Sequence, residues 1–135
     1  MPSAQKNIYK ELYMKKTYTT GLKGEEMASL YLQKEKNMRC LEHRYRSKCG
    51  EIDLIMLDNE SIVFVEVKTR LHGEPGSGLM AVDYRKQKRI AQAAVMYLMK
   101  NNFLNRSVRF DLVEITGNHL LHIQDAFQPG GLFYR

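Results

Sequence analysis

The chain has 135 residues, enough for one domain with its own core and little else. Hydrophobic residues at 44% and charged residues at 27% exclude a disordered chain, a collagen-like repeat and a coiled coil. Its 21 Lys and Arg against 15 Asp and Glu leave a charge of +6, which suits a polyanionic partner without requiring one.

Residues 1–18 read as a polar leader in which Lys6, Lys10, Lys15 and Lys16 alternate with Tyr9, Tyr13 and Tyr18. It lacks the apolar core of a signal peptide, and the longest apolar run, Ala93 to Met99, is far short of the ~18 residues a membrane span needs. Cys40 and Cys49 have neither the spacing of a metal site nor the number of a disulfide framework. A cytoplasmic protein with no membrane partner is the expectation, its single domain starting at residue 19 and running to residue 135. Tyr9 and Tyr13, set among lysines, are of a type that stacks on bases.

Met27, Ala28, Tyr31 and Leu32 recur at helical spacing, predicting a helix over about Gly21 to Asn37. Strands are predicted over Met38–Arg46, Glu51–Leu57 and Ile62–Thr69, the last two joined by the turn-forming Asp58-Asn59-Glu60-Ser61. Leu71–Gly78 holds three glycines and a proline and reads as a loop. No Gly-Lys-Ser/Thr follows, so it is not a phosphate loop; it fits a flexible rim that closes over substrate. A second helix is predicted over Asp83–Asn102, then strands over Val108–Thr116 and Leu120–Ile123. The order is α-β-β-β-α-β-β, an α/β or α+β sandwich with a mixed central sheet flanked by helices.

Charge is unevenly placed. Residues 1–50 carry 11 basic and 5 acidic residues, residues 51–70 carry 2 and 5, and residues 71–135 carry 8 and 5. The acidic island falls on the central hairpin. Period-two alternation and a turn centred on Asn59-Glu60 set Leu57 opposite Ile62, Ile55 opposite Phe64, and Asp53 opposite Glu66. Two carboxylates then meet at one end of an apolar sheet face, which is destabilising unless something neutralises them. Lys68 lies one step beyond Glu66, and the same register puts Glu51 opposite Lys68 as an ion pair. Ile52, Leu54, Met56, Val63, Val65 and Val67 make the other face apolar. A divalent cation such as Mg²⁺ resolves the carboxylate pair, since carboxylate oxygens are its usual protein ligands. A shared proton, or pairing with Lys68 and Arg70 in a purely structural cluster, resolves it equally.

Asp53, followed thirteen residues on by Glu66-Val67-Lys68, resembles the PD-(D/E)xK signature of the restriction endonuclease-like superfamily, with Ile52 in place of the usual proline. Glu25, in Gly24-Glu25, sits where the Holliday junction resolvases of that superfamily carry an extra metal-binding acid. More widely, Gly21-Leu-Lys-Gly24-Glu25-Glu26-Met27-Ala28, Gly50-Glu51-Ile52-Asp53-Leu54, Phe64-Val65-Glu66-Val67-Lys68-Thr69-Arg70, Lys88, Arg109-Phe110-Asp111 and Ala126-Phe127 resemble the YraN family. These are small bacterial proteins grouped with the endonuclease-like fold, and the resemblance spans about Thr19 to Phe127. It implies a restriction endonuclease-like core. It further implies that Asp53, Glu66, the backbone carbonyl of Val67 and Glu25 hold Mg²⁺ or Mn²⁺, with Lys68 orienting the attacking water. The reaction implied is hydrolysis of phosphodiester bonds, with branched or structured DNA the leading substrate and a homodimer the expected assembly.

Basic residues supply a second line. Arg85, Lys86, Lys88 and Arg89 crowd the first two turns of the second helix, where cations oppose the helix dipole and make more sense facing phosphates. Arg44, Arg46 and Lys48, on one strand face with Arg39 nearby, form a second strip suited to backbone contacts, and Arg70 follows the signature lysine. A solvated charged face is the alternative for each. His119 and His122, three apart on a strand, point to opposite faces and are no ligand pair; His43 and His72 have no partners in sequence. Besides the nuclease, two rivals stand: a non-catalytic nucleic-acid-binding module of the same fold, and a protein-interaction domain with no nucleic acid.

Overall fold

The computed structural model describes residues 21–70, 82–117 and 119–129. The polar leader and the glycine-rich loop of the sequence reading lie outside these residues. Helix α1 spans Gly21–Glu35, strands β1 to β3 span Arg39–Arg46, Glu51–Asp58 and Ser61–Arg70, helix α2 spans Tyr84–Lys100, and β4 and β5 span Val108–Thr116 and His119–Ile123. The α-β-β-β-α-β-β order is the one read from sequence, with ends differing by a residue or two.

The strands form one five-stranded sheet in the order β1-β2-β3-β4-β5. β3 and β4 are parallel and every other pair is antiparallel. Two parallel neighbours need a long crossover, and α2 supplies it. Asn59 takes the left-handed turn conformation at φ 57°, which asparagine tolerates. The hairpin it closes sets Leu57 against Ile62, Ile55 against Phe64 and Leu54 against Val65, as the alternation requires.

A helix covers each face, making an α/β sandwich. Met27, Ala28 and Leu32 of α1 pack with Leu54, Met56, Val63, Val65, Val113 and Ile115. Ile90, Ala93, Ala94, Tyr97 and Leu98 of α2 pack with Ile55, Ile62, Phe64, Phe110 and Leu112. One residue crosses over: Ile52, expected beside Leu54 and Met56, is buried in the α2-side core. Opposite this stretch Arg44 adopts φ 53° between the pairs His43–Leu54 and Tyr45–Ile52, while the register shift between β1 and β2 falls at Cys40/Glu42. Among the described residues no helix is long and apolar enough to cross a membrane.

Two local features aim the chain at the end of the hairpin. A Cβ added to Gly24 would stand 2.2 Å from Thr69 Cγ2, so the lack of a side chain lets α1 lie directly on β3. The residue after it, Glu25, is thereby brought over the sheet. At the start of α2 the Asp83 side chain accepts a hydrogen bond from the Lys86 backbone N–H at 2.9 Å, an N-cap that fixes where the helix begins.

Candidate metal centre

The β2–β3 ladder stops at Leu54–Val65, one residue short of Asp53 and Glu66. A strand N–H left by an ending ladder still needs an acceptor. Asp53 provides it: the Val67 N–H donates to Asp53 Oδ2 at 2.8 Å. The carboxylate is therefore held by the backbone of the same segment that carries Glu66. Glu66 is 7% exposed, and Glu25 from α1, 8% exposed, completes a group of three carboxyls from three elements.

Their electrostatics show the strain. Burial, then the neighbouring Asp53 charge, raise Glu66 to about 7 despite the opposing Lys86. The same two causes in the same order raise Glu25 to about 7 against the pull of Arg44. The closeness of the Asp53 side chain raises each further. Near neutral pH the cluster holds less negative charge than three carboxylates would carry.

Two cations of the chain offset part of what remains. The Lys86 ammonium, from the first turn of α2, ends on Glu66 Oε2. Arg44 Nε, from β1, donates to Glu25 Oε1 at 3.2 Å. Asp53, Glu66, Lys86 and Arg89 all line one cleft of about 200 Å³, walled by Gly50 and Ile90. The donor set is entirely carboxylate oxygen, which fits a hard divalent ion. Among the described residues, no group of three His, Cys, Asp or Glu side chains is already disposed to hold a metal ion.

The other sequence-predicted residues distribute as follows. Lys68 is half-buried, two residues on from Glu66, and among the described residues it makes no ion pair and does not line the cleft. Glu51 pairs with Arg46 at 3.4 Å rather than with Lys68, because the β2–β3 ladder does not extend that far. Arg70, partly exposed, donates to the buried Glu114 at 2.6 Å and so ties β3 to β4. The expected strip of Arg44, Arg46 and Lys48 is broken up. Arg44 turns onto Glu25, Arg46 pairs with Glu51, and Lys48 is carried into the β1–β2 turn. Ser47 closes that turn by donating its N–H to the Gly50 carbonyl at 2.9 Å. On α2, Arg85, Lys88 and Arg89 are exposed. Lys86 is not available in the same way, since it belongs to the carboxylate cluster.

Sequence reasoning missed Lys86 and Arg44 as partners of the acids. The alternation argument ranks neighbours within a hairpin, and neither cation is in that hairpin. It also missed a second charged cluster. Asp111, fully buried on β4, accepts hydrogen bonds from Arg109 Nε at 2.8 Å, Arg109 Nη2 at 3.0 Å and the Asp125 N–H at 3.0 Å, and pairs with His122 Nε2 at 2.7 Å. Arg109 Nη1 reaches on to Asp58 at 3.0 Å. Burial alone would raise the Asp111 carboxyl, but the bonds from His122, Arg109 and the Asp125 N–H hold it below its ordinary value. His122 is thus a buried structural histidine, in keeping with its exclusion as a ligand.

Comparison with known proteins gives one consistent result. Residues 24–115 match the uncharacterised protein family UPF0102. A UPF0102 protein of Pseudomonas putida strain W619 is 42% identical over 116 residues, covering 82% of this chain and 94% of its own length. One from Persephonella marina is 38% identical over 113 residues, covering 82% and 95%. One from Caldanaerobacter subterraneus subsp. tengcongensis is 41% identical over 116 residues, covering 81% and 94%.

Proposed function

The chain belongs to the uncharacterised protein family UPF0102, the YraN-like proteins of the sequence resemblance. We propose that it binds nucleic acid and is a Mg²⁺- or Mn²⁺-dependent endonuclease of the restriction endonuclease-like kind. Its proposed substrate is DNA of branched or otherwise structured form. The observation that carries this reading is the convergence of Glu25, Asp53 and Glu66, two of them raised to about 7, beside an open cleft with a basic wall. A fold keeps such an unfavourable cluster where a ligand relieves it.

In this reading Asp53 and Glu66 hold the ion with Glu25 as a further ligand. In a strand, the N–H and C=O of one residue point to the same edge, so the Val67 carbonyl lies on the Asp53 side as an additional oxygen donor. When bound, the ion supplies Lewis-acid stabilisation of charge developing on the phosphate. Lys68, without an ion pair among the described residues, donates a hydrogen bond to the attacking water and orients it. Arg85, Lys88 and Arg89 hold the nucleic-acid backbone by charge. The likeness of Glu25 to the extra acid of junction resolvases brings junction DNA and a homodimer into the proposal. The ion pairs of Lys86 and Arg44 favour one rival, a binding module that keeps the acids as a scaffold.

The test is incubation with Mg²⁺ of a junction, a flap, a single strand and a plain duplex, using parent, Asp53→Ala and Lys68→Ala proteins. An enzyme of this design cuts at least one substrate, and both variants lose cutting while keeping most of their affinity. Cutting that survives both substitutions removes the site assignment. Salt-dependent binding without cutting leaves the scaffold module, and no binding at all ends the nucleic-acid reading.

A further inference from the structure

Lys86 stands between the buried acids and water. Its backbone is anchored by the Asp83 cap, and its helix is seated in the core by Ile90 one turn further on. From there its side chain reaches down to the buried Glu66 carboxylate at the mouth of the cleft that Asp53 also lines. Its own side chain is 42% exposed while that of Glu66 is 8% exposed, so the ammonium sits between water and the acids. Arg89, three residues on and therefore on the same helix face, lines the same cleft and is exposed.

The two cations on the cluster differ in how easily they can leave. Arg44 is set by a left-handed backbone at φ 53° and bonds Glu25 through Nε, near the base of its guanidinium. Lys86 is a single charge at the end of a flexible four-carbon stem on a regular helix, with water on one side. A divalent ion bound between Asp53 and Glu66 would compete with Lys86 for the Glu66 carboxylate and would repel its ammonium.

We propose that Lys86 is a built-in counter-ion that a divalent cation displaces from Glu66, and that the displaced ammonium turns into the cleft beside Arg89 to position a phosphate. This rests on the metal reading above and adds a residue to it. Lys86 acts through Glu66 in one state and on the ligand in the other, so the acids are neutralised before the ion arrives and the cleft gains a cation after it.

The test is Mn²⁺ calorimetry on the full chain for parent, Lys86→Gln and Lys86→Arg. Lys86→Gln should bind Mn²⁺ about tenfold more tightly, because a competitor and a repelling charge are both gone. Lys86→Arg, which keeps the charge, should remain close to the parent. Equal affinity in parent and Lys86→Gln overturns the displacement while leaving the metal site standing. If neither protein binds Mn²⁺, the metal reading fails first and takes this proposal with it. The second half is read with a DNA junction in Ca²⁺: Lys86→Gln should bind about tenfold more weakly than the parent with the ion and equally without it. A loss of the same size in both conditions overturns the turning of Lys86 on ion binding.

Discussion

Two buried acidic groups lie in the same sheet and obey opposite arithmetic. Around Asp111 a single carboxylate meets a forked guanidinium, an imidazole and a backbone N–H, and its carboxyl is held below the ordinary range. Around Asp53 three carboxyls share two side-chain cations, and two of the three are raised to about 7. The first is a closed hydrogen-bond account that joins β4 to β5 and, through Arg109 and Asp58, to β2. The second is left open at a cleft. A buried charge with all its partners serves the fold, whereas a surplus of like charge is a cost, met here in part by carboxyls that keep their protons up to about pH 7.

Breaking the closed cluster should have the largest effect. Asp111→Ala strands the Arg109 fork and the buried His122 together, and removing one member of such a buried pair costs about 3–5 kcal/mol. Urea unfolding reads this directly, and a loss below about 1 kcal/mol would mean the two clusters do not differ as described. The next effect is steric and falls on the open cluster alone. Gly24→Ala puts a methyl group into Thr69, whose β-branched side chain has little room to turn. Overpacking of this kind costs about 1–3 kcal/mol. Because α1 must lift from β3 to accept it, Glu25 should also move away from Asp53 and its carboxyl should fall back towards 4.5, the ordinary value, as followed by NMR titration. A variant that loses stability with Glu25 still near 7 would separate helix docking from the site.

How far each cluster could be read beforehand follows from how its members are related in sequence. Asp53 and Glu66 lie on consecutive strands closed by a turn with Asn59 at its tip, so period-two alternation was enough to bring them to the same end. The helix and strand order followed from the same local periodicities. Glu25 needed the motif resemblance, since nothing local says that a helix start will rest on β3; the Gly24 contact with Thr69 is a tertiary fact. Lys86 and Arg44 are legible as cations but not as partners, because each reaches the acids across a packing interface. Extending the alternation one step too far is what misplaced Glu51 and Ile52, since the ladder yields at Asp53 to a side-chain acceptor. The Asp111 group spans residues 58 to 125, and its pairing depends on β5 lying beside β4, which no local pattern announces.

The smallest effect is also the one that sets the two clusters directly against each other. Asp111 titrates lower in the folded chain than its ordinary 3.8, so its contribution is present above that value and is lost as pH falls through the folded one. Glu66 runs the other way. Its folded value of about 7 lies above the ordinary 4.5, so between these limits the folded chain holds more protons than the unfolded one, and stability falls as pH rises through that window. Acid therefore loosens the β4–β5 end, and neutral to basic pH loosens the cleft end. Glu66→Gln mimics the protonated carboxyl and cannot ionise. It should match the parent near pH 5 and exceed it by about 1–2 kcal/mol at pH 8, with Lys86 released to water. Denaturation midpoints at the two pH values decide it. Parallel curves for parent and variant would place Glu66 at an ordinary carboxylate's pKa and remove the surplus charge on which the contrast depends. Curves that diverge only above pH 5 would locate the cost in this carboxyl, the one that Lys86 neutralises only in part.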